Sequence, residues 1–221
     1  MSNYETTEET KNKIINFFSK YSNNKYKRDQ IVISSNEAPT GVIYLKTGFV
    51  KQYTYSPDGQ EILLHIYTPG AYFPMTWAIA ELPNKYFFKA ITNIETHVAS
   101  RKDFSAFLAK EADVLYELTY RLIHGIAGLL ERTEVSAYGN GYHKIISTLI
   151  YITKHFGEKQ GSEVIITENF TQAEIASFAG LARETAAYEL KKLEDKGLIT
   201  KNKRQLSIPN ITKLHAEMEL D

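Results

Sequence analysis

The 221-residue chain contains no cysteine. Disulfides, thiol redox sensing and cysteine-ligated iron–sulfur clusters are therefore excluded. It also lacks net charge, because 26 Lys and Arg residues balance 26 Asp and Glu residues. A globally basic surface is excluded with it, so any nucleic-acid contact must rest on locally concentrated charge. No apolar run reaches the length of a membrane span. The opening MSNYETTEETKNK is polar and partly acidic, unlike a signal peptide. No membrane partner is expected, and a cytoplasmic location is. The six histidines, His65, His97, His124, His143, His155 and His215, form no H-x-x-x-H pair. No Ser-His-Asp, P-loop or paired-carboxylate pattern stands out. No metal site, no cofactor and no enzymatic activity are expected. There is no internal repeat and no low-complexity tract.

What is present is concentrated near the C-terminus, in TQAEIASFAGLARETAAYELKKLEDKGLIT, residues 171–200. Thr171 and Glu174 form a T-x-x-E capping box, which satisfies backbone N–H groups at a helix start. Ile175, Phe178 and Ala179 follow at helical spacing. Gly180 sits where the chain must turn. A second helix is predicted from about Ala182 to Lys196. Ala186, Leu190 and Leu193 point inward, and Arg183, Glu184, Ala187 and Tyr188 form its leading face. Gly197 suits the stop of that helix. Leu198 to Thr200 and Gln205 to Ile208 alternate like a strand pair, joined by Lys201, Asn202, Lys203 and Arg204. That is a helix-turn-helix followed by a positively charged wing. The local positive charge lies at Lys191, Lys192, Lys196, Lys201, Lys203 and Arg204, partly offset by Glu189, Glu194 and Asp195. Moderate, salt-sensitive DNA affinity is expected.

Upstream, a short amphipathic helix is predicted over 6–21, with Ile14, Ile15, Phe17 and Phe18 as its apolar face. From Tyr26 to Phe107 the pattern changes to short strands with turn residues between them, at 31–33, 41–45, 49–55, 61–67, 89–94 and 96–100. Ser56-Pro57-Asp58-Gly59 and Thr68-Pro69-Gly70 read as turns. Such a pattern argues for a small β-barrel or jelly roll. Residues 113–136 read as one long helix. Leu115, Leu118, Leu122, Gly125 and Leu129 recur at alternating three and four spacing, a short coiled-coil-like seam. Ile123, Ile126 and Leu130 add a second apolar edge. Tyr138-Gly139-Asn140-Gly141 breaks the helix, and another helix follows over 142–155.

These segments resemble the cyclic-AMP receptor protein/fumarate-nitrate regulator (Crp/Fnr) family. In the C-terminal part the resemblance is carried by Gln172-Ala173-Glu174-Ile175, Gly180, Arg183-Glu184-Thr185 and LKKLEDKGLI from Leu190 to Ile199. In the barrel it is carried by Gly41-Val42-Ile43-Tyr44-Leu45, Gly48, Gly59-Gln60-Glu61-Ile62, Pro69-Gly70, Phe73 and Ala90-Ile91-Thr92. The resemblance implies an α+β fold: an N-terminal cyclic-nucleotide-binding-type β-barrel (jelly roll), a long dimerisation helix and a C-terminal winged helix-turn-helix. The expected domains are a sensor barrel with its N-terminal helix at 1–110, the dimerisation helix at 111–137 and the DNA-binding domain at 138–221.

By the same resemblance, Arg183 reads a guanine and Glu184 accepts from a cytosine amino group, chemistry that both side chains can perform. Thr171, Thr185 and Lys191 match positions that touch phosphates, and Ala187, Lys201, Lys203 and Arg204 complete the DNA-binding set. Many members carry a second arginine where this chain has Tyr188. A bidentate arginine–guanine pair is worth about 1–3 kcal/mol of discrimination. The half-site is therefore expected to lose its second guanine preference. Expected partners are double-stranded DNA bearing a palindromic site and a second copy of the chain, paired through Leu115, Leu118, Leu122, Gly125 and Leu129. RNA polymerase is a further candidate partner.

Nucleotide-binding members supply a Gly-Glu pair and an Arg-Ser pair to hold the ribose and the cyclic phosphate. Here those positions read Pro74-Met75 and Asn84-Lys85, and the base-facing helix positions fall at Leu129 and Leu130. A buried phosphate needs a paired cation and several donors. Proline removes a donor, and Lys85 is a point charge rather than a fork. Gating by cyclic AMP is not expected. The candidate effector pocket comprises Phe73, Pro74, Met75, Trp77, Lys85, Tyr86, Phe88, Leu129 and Leu130, with Tyr72 and Phe87 nearby. Two readings stay open: the aromatic side chains fill the barrel, or they line an apolar cavity for an uncharged effector. Some family members bind haem through histidine, which makes His65 and His124 the residues to follow. The alternative function is a ligand-binding signalling or interaction protein whose helix-turn-helix does not bind DNA.

Overall fold

The computed structural model describes residues 6–202 and 205–218. The chain divides into two compact units. The first joins residues up to Thr54 with Leu64–Ala127, and the second joins Tyr55–Leu63 with the chain from Gly128 onward.

The first unit begins with α1 (Glu8–Phe18), whose N-cap Thr7 accepts a hydrogen bond from the Thr10 backbone N–H. Short strands follow: β1 (Asn23–Tyr26), β2 (Ile31–Ile33), β3 (Val42–Thr47), β4 (Val50–Tyr55), β5 (Glu61–Tyr67) and β6 (Tyr72–Phe73). Then come α2 (Met75–Ala80), β7 (Phe87–Ala90), β8 (Ile94–Ala99), α3 (Arg101–Lys110) and α4 (Ala112–Tyr138); the tip of the β4–β5 pair, Tyr55–Leu63, and α4 from Gly128 onward count with the second unit. Two four-stranded sheets form, in the orders β1-β8-β3-β6 and β2-β7-β4-β5. The registered pairs within them are antiparallel, as a jelly roll requires.

Strand β3 explains how this unit closes. Successive side chains on a strand point to opposite faces. Ile43 and Leu45 enter the barrel interior with Ile33, Val50, Phe73, Phe88, Ala90 and Ile94. Val42 and Tyr44 enter a second core with Ile14, Phe18, Phe104, Leu108, Val114 and Leu118, drawn from α1, α3 and α4. Both faces of β3 are buried, so helices cover the sheet's outer side. Ile15, expected on the apolar face of α1, is instead exposed, because it is Ile14, Phe17 and Phe18 on that helix that pack into the second core.

Glu117 on α4 is fully buried, and buried charges persist only when paired. It forms an ion pair with Arg121, accepts from Tyr72 Oη at 2.9 Å and accepts from Thr6 Oγ1 at 3.2 Å. Arg121 also donates to the Gly70 carbonyl at 3.0 Å. This network and Leu118 fasten the first turns of α4 to strand β6. Leu118 was expected on the dimer seam. It lies instead in the second core, because its position on the helix faces the sheet.

The second unit contains α5 (Gly141–Phe156), β9 (Gly157–Gln160), β10 (Glu163–Ile166), α6 (Gln172–Ala179), α7 (Arg183–Asp195), β11 (Thr200–Asn202), β12 (Gln205–Ile208) and α8 (Ile211–Ala216). Helix α4 ends at Tyr138, and Asn140 caps α5 by accepting from the His143 backbone N–H at 3.1 Å. The buried face of α5, Ile145, Ile146, Leu149, Ile152 and Phe156, supplies the centre of this unit. The sheet order is β11-β12-β10-β9, a wing built on a second hairpin. No helix among the described residues is long and apolar enough to cross a membrane.

Candidate nucleic-acid interface

Helix α6 starts with both halves of its capping box formed. Thr171 Oγ1 accepts from the Glu174 N–H at 3.1 Å, and Glu174 Oε2 accepts from the Thr171 N–H at 2.7 Å. Gly180 ends the helix in the left-handed region, with φ +63°, where side chains are strained. The turn delivers the chain to α7, which buries Ala186, Leu190 and Leu193. Arg183, Glu184, Thr185, Tyr188 and Lys191 are exposed and Ala187 is half-buried. Residues 184, 188 and 191 recur at helical spacing on the side away from the core. Thr185 borders the start of α5: a Cβ placed on Gly141 would lie 3.3 Å from Thr185 Cγ2.

The lysines of α7 divide into two sets. Lys191 Nζ lies 2.9 Å from Asp195 Oδ1 and 3.4 Å from Glu194 Oε2, on the exposed side. Lys192 Nζ instead sits 4.3 Å from the centre of the Tyr142 ring. Lys196 Nζ lies 4.9 Å from the same ring and donates to Glu217 Oε2 at 2.6 Å. Tyr142 Oη also donates to Glu217 Oε2 at 2.6 Å. The Lys196 ammonium first, then the Tyr142 hydroxyl, hold the Glu217 carboxyl below its usual range. Burial is the main cause that raises the Tyr142 phenol. This cluster ties α5, α7 and α8 together. Lys192 and Lys196, counted in the sequence as local charge for DNA, therefore serve the packing of the unit.

On the wing, Lys201 is exposed, and Thr200 Oγ1 lies 2.6 Å from Ser207 Oγ. Lys203 and Arg204 lie outside the described residues. Between α6, α7 and the wing runs a cleft floored by Phe170, Ile175, Leu190, Ile199 and Leu206. Gln172, Ala187, Lys191, Glu194 and Lys201 complete its lining, so two exposed lysines meet one carboxylate there.

In the barrel, the residues expected to share an effector pocket are distributed over two cores. Phe73 and Phe88 are buried in the interior, stacked at 5.1 Å, with the Tyr67 ring 4.6 Å from Phe73. Tyr86 packs against the same cluster, whereas Met75 and Trp77 pack against the second core. Pro74 is buried and Lys85 is exposed. Asn84 is buried, donating to the Ser34 and Tyr86 carbonyls at 2.8 and 2.9 Å and accepting from the Tyr86 N–H. It thus closes a turn with its amide. Leu129 and Leu130 are exposed on α4. His65 and His124 rest against the rings of Tyr67 and Tyr120.

Comparison with known proteins agrees with this geometry. Residues 23–111 match the model of the cyclic nucleotide-binding domain, and residues 143–217 match that of the Crp-like helix-turn-helix domain. The chain belongs to the Crp/Fnr family. It is a DNA-binding transcription regulator. One curated relative, a CRP-like cAMP-activated global transcriptional regulator of Mycobacterium tuberculosis, is 24% identical over 79% of this chain and 78% of its own length. Two solved structures share the fold. A Crp/Fnr-family regulator from Thermus thermophilus has a TM-score of 0.73 at 17% identity, covering 90% of this chain and 98% of that one. A double mutant of CooA from Carboxydothermus hydrogenoformans has a TM-score of 0.77 at 16% identity, covering 97% of this chain and 98% of that one.

Proposed function

We propose that the protein acts as a homodimer on palindromic duplex DNA and does so without cyclic AMP. Residues 1–110 form the sensor-type barrel, 111–137 the dimerisation helix and 138–221 the reading domain. Arg183 and Glu184 read a G:C pair, and Tyr188 faces the next base step without a guanine preference. Thr171, Thr185, Lys191, Lys201, Lys203 and Arg204 serve the phosphates. The reading includes no catalytic step and places the protein in the cytoplasm. If the protein activates, RNA polymerase is its further partner.

The observation that carries the dimer is the outer face of α4. Leu115, Leu122, Ile126 and Leu129 are exposed there. With Thr119 and Thr133 they follow a four-three heptad spacing: leucine at one core position, β-branched residues at the other. That combination favours two parallel strands. The Thr119 and Thr133 hydroxyls donate to the Leu115 and Leu129 carbonyls, both at 2.8 Å, which leaves their methyl groups to face a partner. A parallel pair of helices has two-fold symmetry, which matches paired half-sites on DNA. The Phe73–Phe88 stack supports a barrel filled by its own side chains. Asn84 supports the loss of the phosphate site, because its amide already serves the turn.

Binding-site selection from randomised duplex DNA, with no small molecule added, tests this reading. The expected product is a palindrome whose half-sites lie about one helical turn apart, with one required G:C pair per half-site. Enrichment only after a cyclic nucleotide is added, or an equal demand for two guanines, overturns the corresponding part.

A further inference from the structure

The last turn of α7 breaks a rule of helix electrostatics. Glu194 and Asp195 lie at its C-terminal end, where the helix dipole disfavours carboxylates. They follow Lys191 by three and four residues, the weaker orientation for a helical ion pair. Neither placement serves the stability of the helix. Both carboxylates nevertheless reach the Lys191 ammonium, at 3.4 and 2.9 Å. Asp195 first, then Glu194, raise its proton affinity above that of a free lysine. Lys191 is also the α7 lysine not engaged with Tyr142. Glu194 lines the α6–α7–wing cleft together with Lys191 and Lys201, so a phosphate approaching that rim meets a negative charge as well as two positive ones.

We propose that Glu194 and Asp195 act as an internal phosphate mimic, occupying Lys191 in the free protein and holding its DNA affinity down. The inference rests on the DNA-reading function proposed above. A DNA phosphate must displace both carboxylates before Lys191 can serve it, so part of the phosphate attraction goes to breaking that pair. The consequence is selectivity: backbone contact alone is weakened, and retention on DNA depends more on the base contacts of Arg183 and Glu184.

The test is a double-mutant cycle read by fluorescence anisotropy, using labelled random-sequence duplex at low salt. In the wild-type background, Glu194→Gln with Asp195→Asn tightens binding about 3–10-fold and steepens the salt dependence by about one counterion. In a Lys191→Gln background the same pair of changes gains less than about twofold. Thermal stability stays level or rises, because the dipole conflict is relieved. An equal gain in both backgrounds overturns the proposal, since the carboxylates then act only through the general field. No gain from a wild type that does bind duplex overturns it as well. A wild type that binds no duplex at any salt fells the DNA reading, and this inference with it.

Discussion

In the barrel unit Phe73 and Phe88 are essentially inaccessible to water, whereas on the recognition helix Tyr188 is 68% exposed. The two regions keep their large side chains for opposite purposes. In the barrel, rings fill the interior and the Asn84 amide binds backbone carbonyls. The reading helix exposes Arg183, Glu184 and Tyr188 on its outer face. A region that binds a macromolecule is recognised by polar and aromatic groups left unsatisfied. Energetically, then, substitutions in the barrel act on stability and substitutions on the α7 face act on binding.

The sharpest way to break that contrast is Phe73→Ala. It removes a fully buried ring and its stack on Phe88, and such truncations cost about 3–5 kcal/mol. Denaturant titration is expected to show a loss of that size. A loss below about 1 kcal/mol means that the interior around Phe73 is loose enough to admit a ligand, and the filled-barrel reading falls. Next in size is Arg183→Ala, which leaves stability unchanged. It costs about 1–3 kcal/mol of discrimination at its base pair, measured as the ratio of affinities for the selected site and the same site with that pair replaced. A variant that discriminates as well as wild type removes Arg183 from the base-reading set.

The same contrast explains what was legible in the sequence. The helix-turn-helix could be read closely because each of its punctuation marks is local: the Thr171–Glu174 box and Gly180 both act within a few residues. Strand β12 was legible from alternation, and β5 from the turns at 56–59 and 68–70 that bracket it. Helix α3 was not anticipated, because β8 runs into it with no glycine or proline between them. Its signals were Ser100, whose Oγ caps the Asp103 N–H at 3.1 Å, and the helical spacing of Phe104, Phe107 and Leu108. The β9–β10 hairpin is marked in the sequence only by Gly157 at the start of its first strand and Gly161 just after it. The engagement of Lys192 and Lys196 with Tyr142 and Glu217 was beyond periodicity altogether. It depends on Tyr142 and Glu217, which approach α7 from far away in the chain.

The Glu217 cluster gives a smaller effect, with a sign fixed by linkage. Its folded-state carboxyl titrates below the ordinary 4.5. The stabilisation is therefore present above that value and is lost as pH falls through the folded-state pKa. Lys196 is shifted up from 10.5, so its share persists until strongly alkaline pH. Glu217→Gln is expected to cost about 1 kcal/mol at neutral pH, discounted for a side chain that is 17% exposed. It should also flatten the acid limb of the stability curve below pH 4.5. Thermal melts across that window compare the two proteins. An unchanged acid limb shows that the cluster does not hold α8 in solution.

The smallest effect is expected at Gly125, which joins the packing and binding halves of the comparison because it lies on α4, the helix proposed above to pair with a second copy. A Cβ built there meets nothing within 4 Å in the single chain. Alanine is worth up to about 1 kcal/mol over glycine inside a helix. In the heptad frame set by Leu122 and Ile126, position 125 flanks the seam, where a coiled-coil partner leaves room for a methyl group. Gly125→Ala is therefore expected to raise thermal stability slightly and to leave the dimer intact by light scattering. Dissociation of the variant instead means that the two helices approach more closely at Gly125 than knobs-into-holes spacing allows, and the glycine is then there for contact with the second copy.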